Sequence, residues 1–96
     1  MFDNLLHQPV RSQLMATLLN NIGNQEALPF KMLKDTLGLT DGNLSSHLKK
    51  LDEAGYIKIT KSFEGKRPKT TIAISEDGKM AFKEYIKQLQ KFIEEN

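Results

Sequence analysis

Cysteine is absent from the 96-residue chain, and this absence excludes several kinds of chemistry. Disulfide bridges, thiolate metal sites and cysteine nucleophiles all require that residue. Long apolar runs are also missing, since no stretch approaches the ~18 consecutive apolar residues of a membrane span. The first residues do not have the basic and then apolar character of an export signal. We therefore expect a soluble, cytoplasmic protein without membrane contact, stabilised by packing alone.

Residues suited to catalysis are few. The glycines are isolated from one another, so no glycine-rich loop is available to bind a phosphate group. His7 and His47 are the only histidines; they are distant in sequence, and no acidic residues are spaced with them as metal ligands. No nucleophile, base and orienting group occur together. We expect neither an enzyme nor a bound metal or cofactor.

With 96 residues, of which 39% are apolar, the chain fits one domain, residues 1–96, with a modest core. Val10, Leu14, Leu18 and Ile22 recur every four residues after Pro9, which suits a first helical turn. Leu28 is consistent with a short extended segment at the edge of a sheet. The predicted helices span about residues 9–21, 30–37, 41–54 and 76–95.

The second and third predicted helices are separated by only three residues. Gly38 suits the left-handed position that ends a helix, and Thr40 is a good N-cap for the next one. A connection this short predicts a tight helix-turn-helix rather than two parallel neighbours. The third helix has a narrow apolar seam of Leu44, Leu48 and Leu51.

Beyond Gly55 the apolar period changes from helical to two. Ile57 and Ile59, and later Ile72 and Ile74, alternate with other residues and predict two strands. The turn-forming residues 64–68 lie between them, and Pro68 marks a position where ladder pairing is not expected. Residues 58–71 hold five basic residues and one acidic residue although the whole chain is only +2. The expected fold is therefore mainly α with a small, basic β-hairpin (α+β), a winged helix-turn-helix.

The segments GLTDGNLSSHLKKLDEAGY (38–56) and FEGKRPKT (63–70) resemble those of the MarR-like and ArsR-like transcription regulators, especially small stand-alone winged helix proteins. The resemblance covers nearly the whole chain. It implies that the protein binds DNA and regulates transcription. It also implies that Ser45 and His47 match polar positions that this family often uses for DNA contact.

The leucine seam predicts which side chains of the third helix are free to meet DNA. Asn43, Ser46, His47 and Lys50 should project opposite the seam, with Ser45 and Lys49 at its margins. A helix fits the major groove, where such side chains bond base edges or phosphates, and a basic hairpin reaches the backbone or the minor groove. The expected partner is double-stranded DNA, and the expected contact residues are Thr40, Asp41, Asn43, Ser45, Ser46, His47, Lys49, Lys50, Lys61, Lys66, Arg67 and Lys69.

The last helix has more apolar length than a small domain needs, because twenty helical residues span ~30 Å. We expect a homodimer on a roughly palindromic operator. Repression is expected over activation because no activation surface is visible. The expected dimer interface comprises Phe2, Leu5, Leu6, Phe82, Tyr85, Ile86, Leu89, Phe92 and Ile93.

Several alternatives stay open at this point. The lysines are also consistent with a solvated face, and His47 with a surface position that has no partner. Arg11 is expected to form an intramolecular ion pair. The stripe of the last helix is also consistent with closure over its own domain, and the fold with a protein–protein interaction module. The sequence identifies no operator, and it leaves open a small-molecule or protein effector.

Overall fold

A computed structural model describes residues 2–21 and 27–95. The elements follow the expected order: α1 (Pro9–Asn20), β1 (Leu28–Pro29), α2 (Phe30–Leu37), α3 (Asp41–Glu53), β2 (Ile57–Glu64), β3 (Arg67–Ile74) and α4 (Glu76–Glu95). The predicted helices are confirmed to within a residue at each end. The predictions for Ile22 and for the loop that follows it lie outside the described residues.

The three strands form one antiparallel sheet in the order β1-β3-β2. β1 is the short extended segment suggested by Leu28, which pairs with Ile72 of β3. α1, α2 and α3 pack against this sheet, and α4 packs against α1. The shared core consists of Leu6, Leu14, Met15, Leu18, Leu28, Leu33, Leu44, Leu48, Leu51, Ile57, Ile72, Ile74, Phe82 and Tyr85.

The hairpin is longer than expected, and the prediction that pairing would fail at Pro68 is wrong. The ladder continues through Phe63↔Pro68 to Glu64↔Arg67, so only Gly65 and Lys66 form the turn. Gly65 has φ +67°, which suits the first central position of a two-residue hairpin turn. The pair that flanks such a turn is hydrogen-bonded and the next pair is not. Pro68 therefore needs no N–H toward β2, and β1 does not extend far enough to meet its other side.

The N-terminal segment packs against α4 of the same chain. The ring of Phe2 stacks on His7 at 4.7 Å and meets the edges of Tyr85 and Phe92 at 6.0 and 5.9 Å. Nearby, the Tyr56 hydroxyl donates to Asp3 Oδ2 at 2.6 Å. These contacts join the two ends of the described chain within one molecule.

This packing corrects part of the expected dimer interface. Leu6, Phe82 and Tyr85 are at most 6% exposed, so they belong to the core of a single chain and are not available at a surface. Four other members are half-buried against that core, namely Phe2, Leu5, Ile86 and Leu89. Only Phe92 and Ile93 are well exposed, at 55% and 63%. The stripe of α4 thus packs against its own domain from Phe82 to Leu89 and becomes well exposed at Phe92 and Ile93, where Phe92 still contacts the ring of Phe2.

Candidate nucleic-acid interface

α3 is held so that one side is fixed in the core. Its N-terminus is capped by Thr40, whose Oγ1 accepts a hydrogen bond from the Asn43 amide at 3.1 Å. Leu44, Leu48 and Leu51 are buried beneath it, as the seam predicted. Capping satisfies one of the free amides of the first turn, and the apolar seam sets the rotation of the helix. The orientation of every other α3 side chain follows from these contacts.

The outward surface of α3 has a centre and two flanks. At about 100° per residue, Ser46 lies opposite the middle of the leucine seam. His47 lies on the flank toward α1, and Ser45 lies on the flank toward the hairpin. Ser45 and Ser46 are exposed, whereas His47 is half-buried. The predicted polar face is therefore present, but His47 stands at its edge rather than at its centre.

His47 has a partner that sequence analysis did not assign. Arg11 of α1 is only 9% exposed; its Nε donates to the Leu5 carbonyl at 2.6 Å, and its Nη1 lies 3.0 Å from His47 Nδ1. The expected ion pair is therefore wrong, since within residues 2–21 and 27–95 Arg11 meets a carbonyl and an imidazole rather than a carboxylate. The position of Arg11 on the same buried side as Leu14 and Leu18 was the available indication that it had an internal partner.

The contact defines the chemistry of the His47 ring. A guanidinium can only donate, so His47 Nδ1 accepts and the proton of the neutral ring is on Nε2. Burial of the ring, and then the charges of Arg11 and Lys50, lower the pKa of His47 below 6.5. His47 is consequently a neutral side chain at neutral pH that offers an N–H donor from Nε2. Phosphate oxygens and the acceptor atoms of guanine are suitable partners for such a donor.

A groove of about 480 Å³ separates α3 from the sheet. Lys49 and Ser45 line it from α3, and Lys61 and Thr70 line it from the hairpin. Its other lining residues are Phe30, Asp41, Leu48, Asp52 and Ile59. The groove thus has an apolar floor, with one lysine on each side. A phosphate-bearing strand placed there would meet a cation from both elements.

Asp41 has a different environment from the one expected of a base-reading residue. Its Oδ1 lies 3.0 Å from Lys34 Nζ of α2, and the residue occupies the first turn of α3, where a negative charge complements the helix dipole. The ion pair offsets the negative charge that Asp41 brings to the groove. Asp41 therefore links the first turn of α3 to α2 in this structure.

The basic residues of the hairpin are divided between its two faces. Side chains alternate along a strand, so Lys61 shares a face with Ile57 and Ile59, and that face turns toward the groove. Arg67 and Lys69 lie on the opposite face, where Lys69 Nζ lies 3.0 Å from Glu64 Oε2. Lys66 is in the turn itself. The wing therefore presents cations on both of its sides and at its end.

The structure brings most of the expected contact residues to one side of the molecule. All are exposed except His47, and α3, the groove and the hairpin connect them. The sequence analysis did not predict the contact of Arg11 with His47. It also did not single out Phe63, an exposed aromatic residue on the hairpin. In the described part of the chain no group of acidic or histidine residues is placed to hold a metal ion. No described helix is long and apolar enough to cross a membrane.

Comparison with known proteins identifies the family. A family model described as a winged helix DNA-binding domain matches residues 10–93. An uncharacterised protein of Methanocaldococcus jannaschii is 43% identical over 93 residues, which make up 94% of this chain and 97% of that protein. The solved structure of a transcriptional regulator homologue from Pyrococcus horikoshii is 32% identical with a TM-score of 0.86, covering 96% of this chain and 87% of its own.

Two further solved structures share the fold at lower identity. HlyU from Vibrio cholerae is 22% identical with a TM-score of 0.62, and the match covers 82% of this chain and 77% of that one. A MarR-family transcriptional regulator from Porphyromonas gingivalis is 23% identical with a TM-score of 0.56, covering 100% and 97%. The resemblance to MarR-like regulators is thus confirmed at the level of the fold. With its helix-turn-helix, its three-stranded sheet and its family match over residues 10–93, the chain belongs to the winged helix DNA-binding domain family.

Proposed function

We propose that this protein is a sequence-specific, duplex-DNA-binding transcriptional regulator that acts as a homodimer. α3 enters the major groove, one phosphate backbone runs through the groove between α3 and the sheet, and the hairpin reaches the adjacent minor groove or its backbone. Lys49, Lys50, Lys61, Lys66 and Arg67 carry the proposal. All five are exposed, and none forms an ion pair with another described residue. Unpaired cations around an uncharged polar helix face are the arrangement that a polyanion requires.

The side chains of α3 divide into base-reading and backbone-binding groups. Asn43 and Ser46 are uncharged and exposed, and an asparagine can bond adenine at two atoms. His47 adds the Nε2 donor that Arg11 orients. Lys49 and Lys61 face each other across the groove and bind the backbone, which fixes the position of α3 without reading sequence.

Two substitutions separate these roles. A preferred duplex is first selected from a random library, and affinity is then measured by fluorescence anisotropy over a range of salt concentrations. Asn43→Ala should reduce the affinity for the preferred duplex and relax the preference at one base pair, at a cost of about 1–3 kcal/mol. Lys66→Ala should weaken binding to every duplex and reduce the slope of log K against log salt by about 0.9. Lys83→Ala on α4 is the charge-matched control and should bind as the parent does.

Two outcomes would contradict the proposal. Failure of the parent protein to bind any duplex at low salt would favour the protein–protein interaction module instead. An equal loss for every sequence in Asn43→Ala would remove the base-reading role of Asn43.

We also propose that the protein binds DNA as a two-fold dimer and that it represses transcription. A two-fold dimer presents two α3 helices to half-sites about one helical turn, ~34 Å, apart. Repression follows if the dimer occludes a promoter. Transcription in vitro from a template carrying the selected site should decrease as protein is added, and an increase would make the protein an activator.

A further inference from the structure

The hairpin carries an exposed aromatic residue that the packing of the domain does not explain. Phe63 is 74% exposed, more than the other large apolar side chains with notable exposure in the described chain, which are Met32, Met80, Phe92 and Ile93. It lies one residue from the end of β2, directly opposite Pro68. Exposing a phenyl ring to water is unfavourable, so its position suggests a contact made with a partner.

Strand alternation places Phe63 on the groove side of the wing. Residues two apart on a strand share a face, and directly paired residues of an antiparallel ladder share it too. The face that includes Phe63 comprises Ile57, Ile59 and Lys61 on β2 and Pro68, Thr70, Ile72 and Ile74 on β3. The isoleucines lie over the core, and Lys61 and Thr70 line the groove beside α3. Phe63 and Pro68 therefore continue the groove wall outward by one further pair.

The chemistry around this apolar pair indicates a nucleic acid. Lys61 lies two residues before Phe63 on the same face, ~7 Å away at the rise of a strand, and Lys66 lies in the adjoining turn. An apolar partner protein would have to desolvate these cations, whereas a duplex places deoxyribose and base edges next to phosphates. Proteins that enter the minor groove frequently insert apolar side chains, Phe and Pro among them, at its base steps.

We propose that Phe63, supported by Pro68, is an apolar DNA contact that packs against the sugars and base edges of the minor groove beyond the backbone held between Lys49 and Lys61. This inference rests on the proposed DNA-binding function and adds a contact that is independent of charge. Phe63 determines affinity through surface burial, and the lysines determine it through phosphate neutralisation.

The test compares variants by anisotropy on the selected duplex across a salt series. Phe63→Ala should weaken binding roughly tenfold, since it removes the burial of most of a phenyl ring. Its slope against salt should equal that of the parent because no phosphate contact is lost. Phe63→Leu should retain most of the affinity. Lys66→Ala should instead change the slope by about 0.9, and Met80→Ala, which removes another exposed apolar side chain, should have no effect.

Each other outcome overturns the inference in a recognisable way. Parental affinity in Phe63→Ala, with Lys66→Ala weakened, would refute the Phe63 contact and leave DNA binding intact. A changed salt slope in Phe63→Ala would mean that the substitution acts by displacing cations. A lower mass of Phe63→Ala in sedimentation would assign the ring to a contact with a second copy. No binding by the parent protein would refute both the contact and the proposed function.

Discussion

Arg11 shows how one side chain can support a surface to which it contributes little directly. Its guanidinium joins the Leu5 carbonyl to the ring of His47, so it connects the N-terminal segment and α1 to the exposed side of α3. A charged group this deeply buried must be hydrogen-bonded to be tolerated. Arg11 is therefore a positioning residue for His47.

Replacing Arg11 should change the titration of His47. Arg11→Met removes the second-largest cause of the lowered pKa, so the pKa of His47 should rise, as measured by NMR of the imidazole ring. Gln13→Met, an exposed change on the same helix, is the control and should leave the titration as it is in the parent. An unchanged His47 pKa in Arg11→Met would contradict the contact.

The same shift predicts how stability depends on pH. The pKa of His47 is lower in the folded chain than its ordinary value of 6.5, so the unfolded chain binds the proton more readily. The contribution of His47 to the free energy of unfolding is fully present above pH 6.5. It is lost as the pH falls through the lower pKa that His47 has in the folded chain. The loss of stability that comes from His47 should therefore be smaller in Arg11→Met than in the parent. Melting temperatures compared at neutral and mildly acidic pH measure it.

At the scale of single residues, sequence could predict what depends on local periodicity. Asn43 and Ser46 were placed outward because Leu44, Leu48 and Leu51 fix the helix rotation. The partner of His47 could not be predicted, since α1 and α3 are brought together only by the tertiary fold. Phe63 was missed because an aromatic residue in a strand reads as a core residue unless the extent of the core is known.

At the scale of elements, the contact between α4 and the loop before β2 is unusually close. Gly78 lies in the first turn of α4, where Ser75 caps the helix by accepting from the Gly78 amide at 2.9 Å. A Cβ on Gly78 would lie 2.0 Å from the Tyr56 carbonyl oxygen. The Ser75 amide also donates to that carbonyl at 3.0 Å, so Tyr56 cannot move away without breaking a hydrogen bond.

Two Gly→Ala substitutions should therefore have opposite effects. Gly78→Ala should lower the free energy of unfolding by about 1–3 kcal/mol, because backbone atoms must shift. Gly42→Ala in α3 meets no atom within 4 Å and should raise it by roughly 0.5 kcal/mol through helix propensity. Chemical denaturation measures both. If Gly78→Ala left the free energy of unfolding unchanged, α4 could move away from Tyr56 without loss of stability.

Most helices and strands were predictable from the sequence. The length of the hairpin was not, and the reason is physical. Helix caps at Thr40 and Gly38 and the change of apolar period after Gly55 are local properties. The extent of pairing near Pro68 depends instead on which side of the strand has a neighbour. That is a property of the sheet order, which short-range patterns do not contain.

At the scale of the whole molecule, α4 extends beyond the domain that it covers. The described chain measures 53 Å in its longest dimension and 26 and 22 Å in the others. Along α4, Ile86, Leu89 and Ile93 follow Phe82 at alternating spacings of four and three, as in a helix-packing seam. Exposure increases along that seam from the buried Phe82 to the 63% exposed Ile93. The outer half of α4 is thus the surface on which the proposed dimer depends.

Substituting Ile93 should separate dimerisation from folding. Ile93→Lys places a charge in the proposed interface, so the dimer should dissociate at concentrations where the parent remains associated, as measured by sedimentation equilibrium. The melting of a single subunit should change little because Ile93 is exposed. Met80→Lys makes the same change on the opposite side of α4 and should leave the mass unchanged. Equal masses for the parent and Ile93→Lys would contradict a dimer through this helix.

The two-residue strand β1 has a consequence for the order in which the molecule folds. The helix-turn-helix and the β2–β3 hairpin each consist of contacts between near neighbours, which form rapidly. α3 also packs directly on β2, whereas the pairing of Leu28 with Ile72 closes a long loop and forms more slowly. Until β1 pairs, the sheet is incomplete, although every proposed DNA-contacting residue already lies in one of the two local units. In refolding experiments, DNA affinity should therefore appear with the slowest phase, after most of the helical signal has been regained.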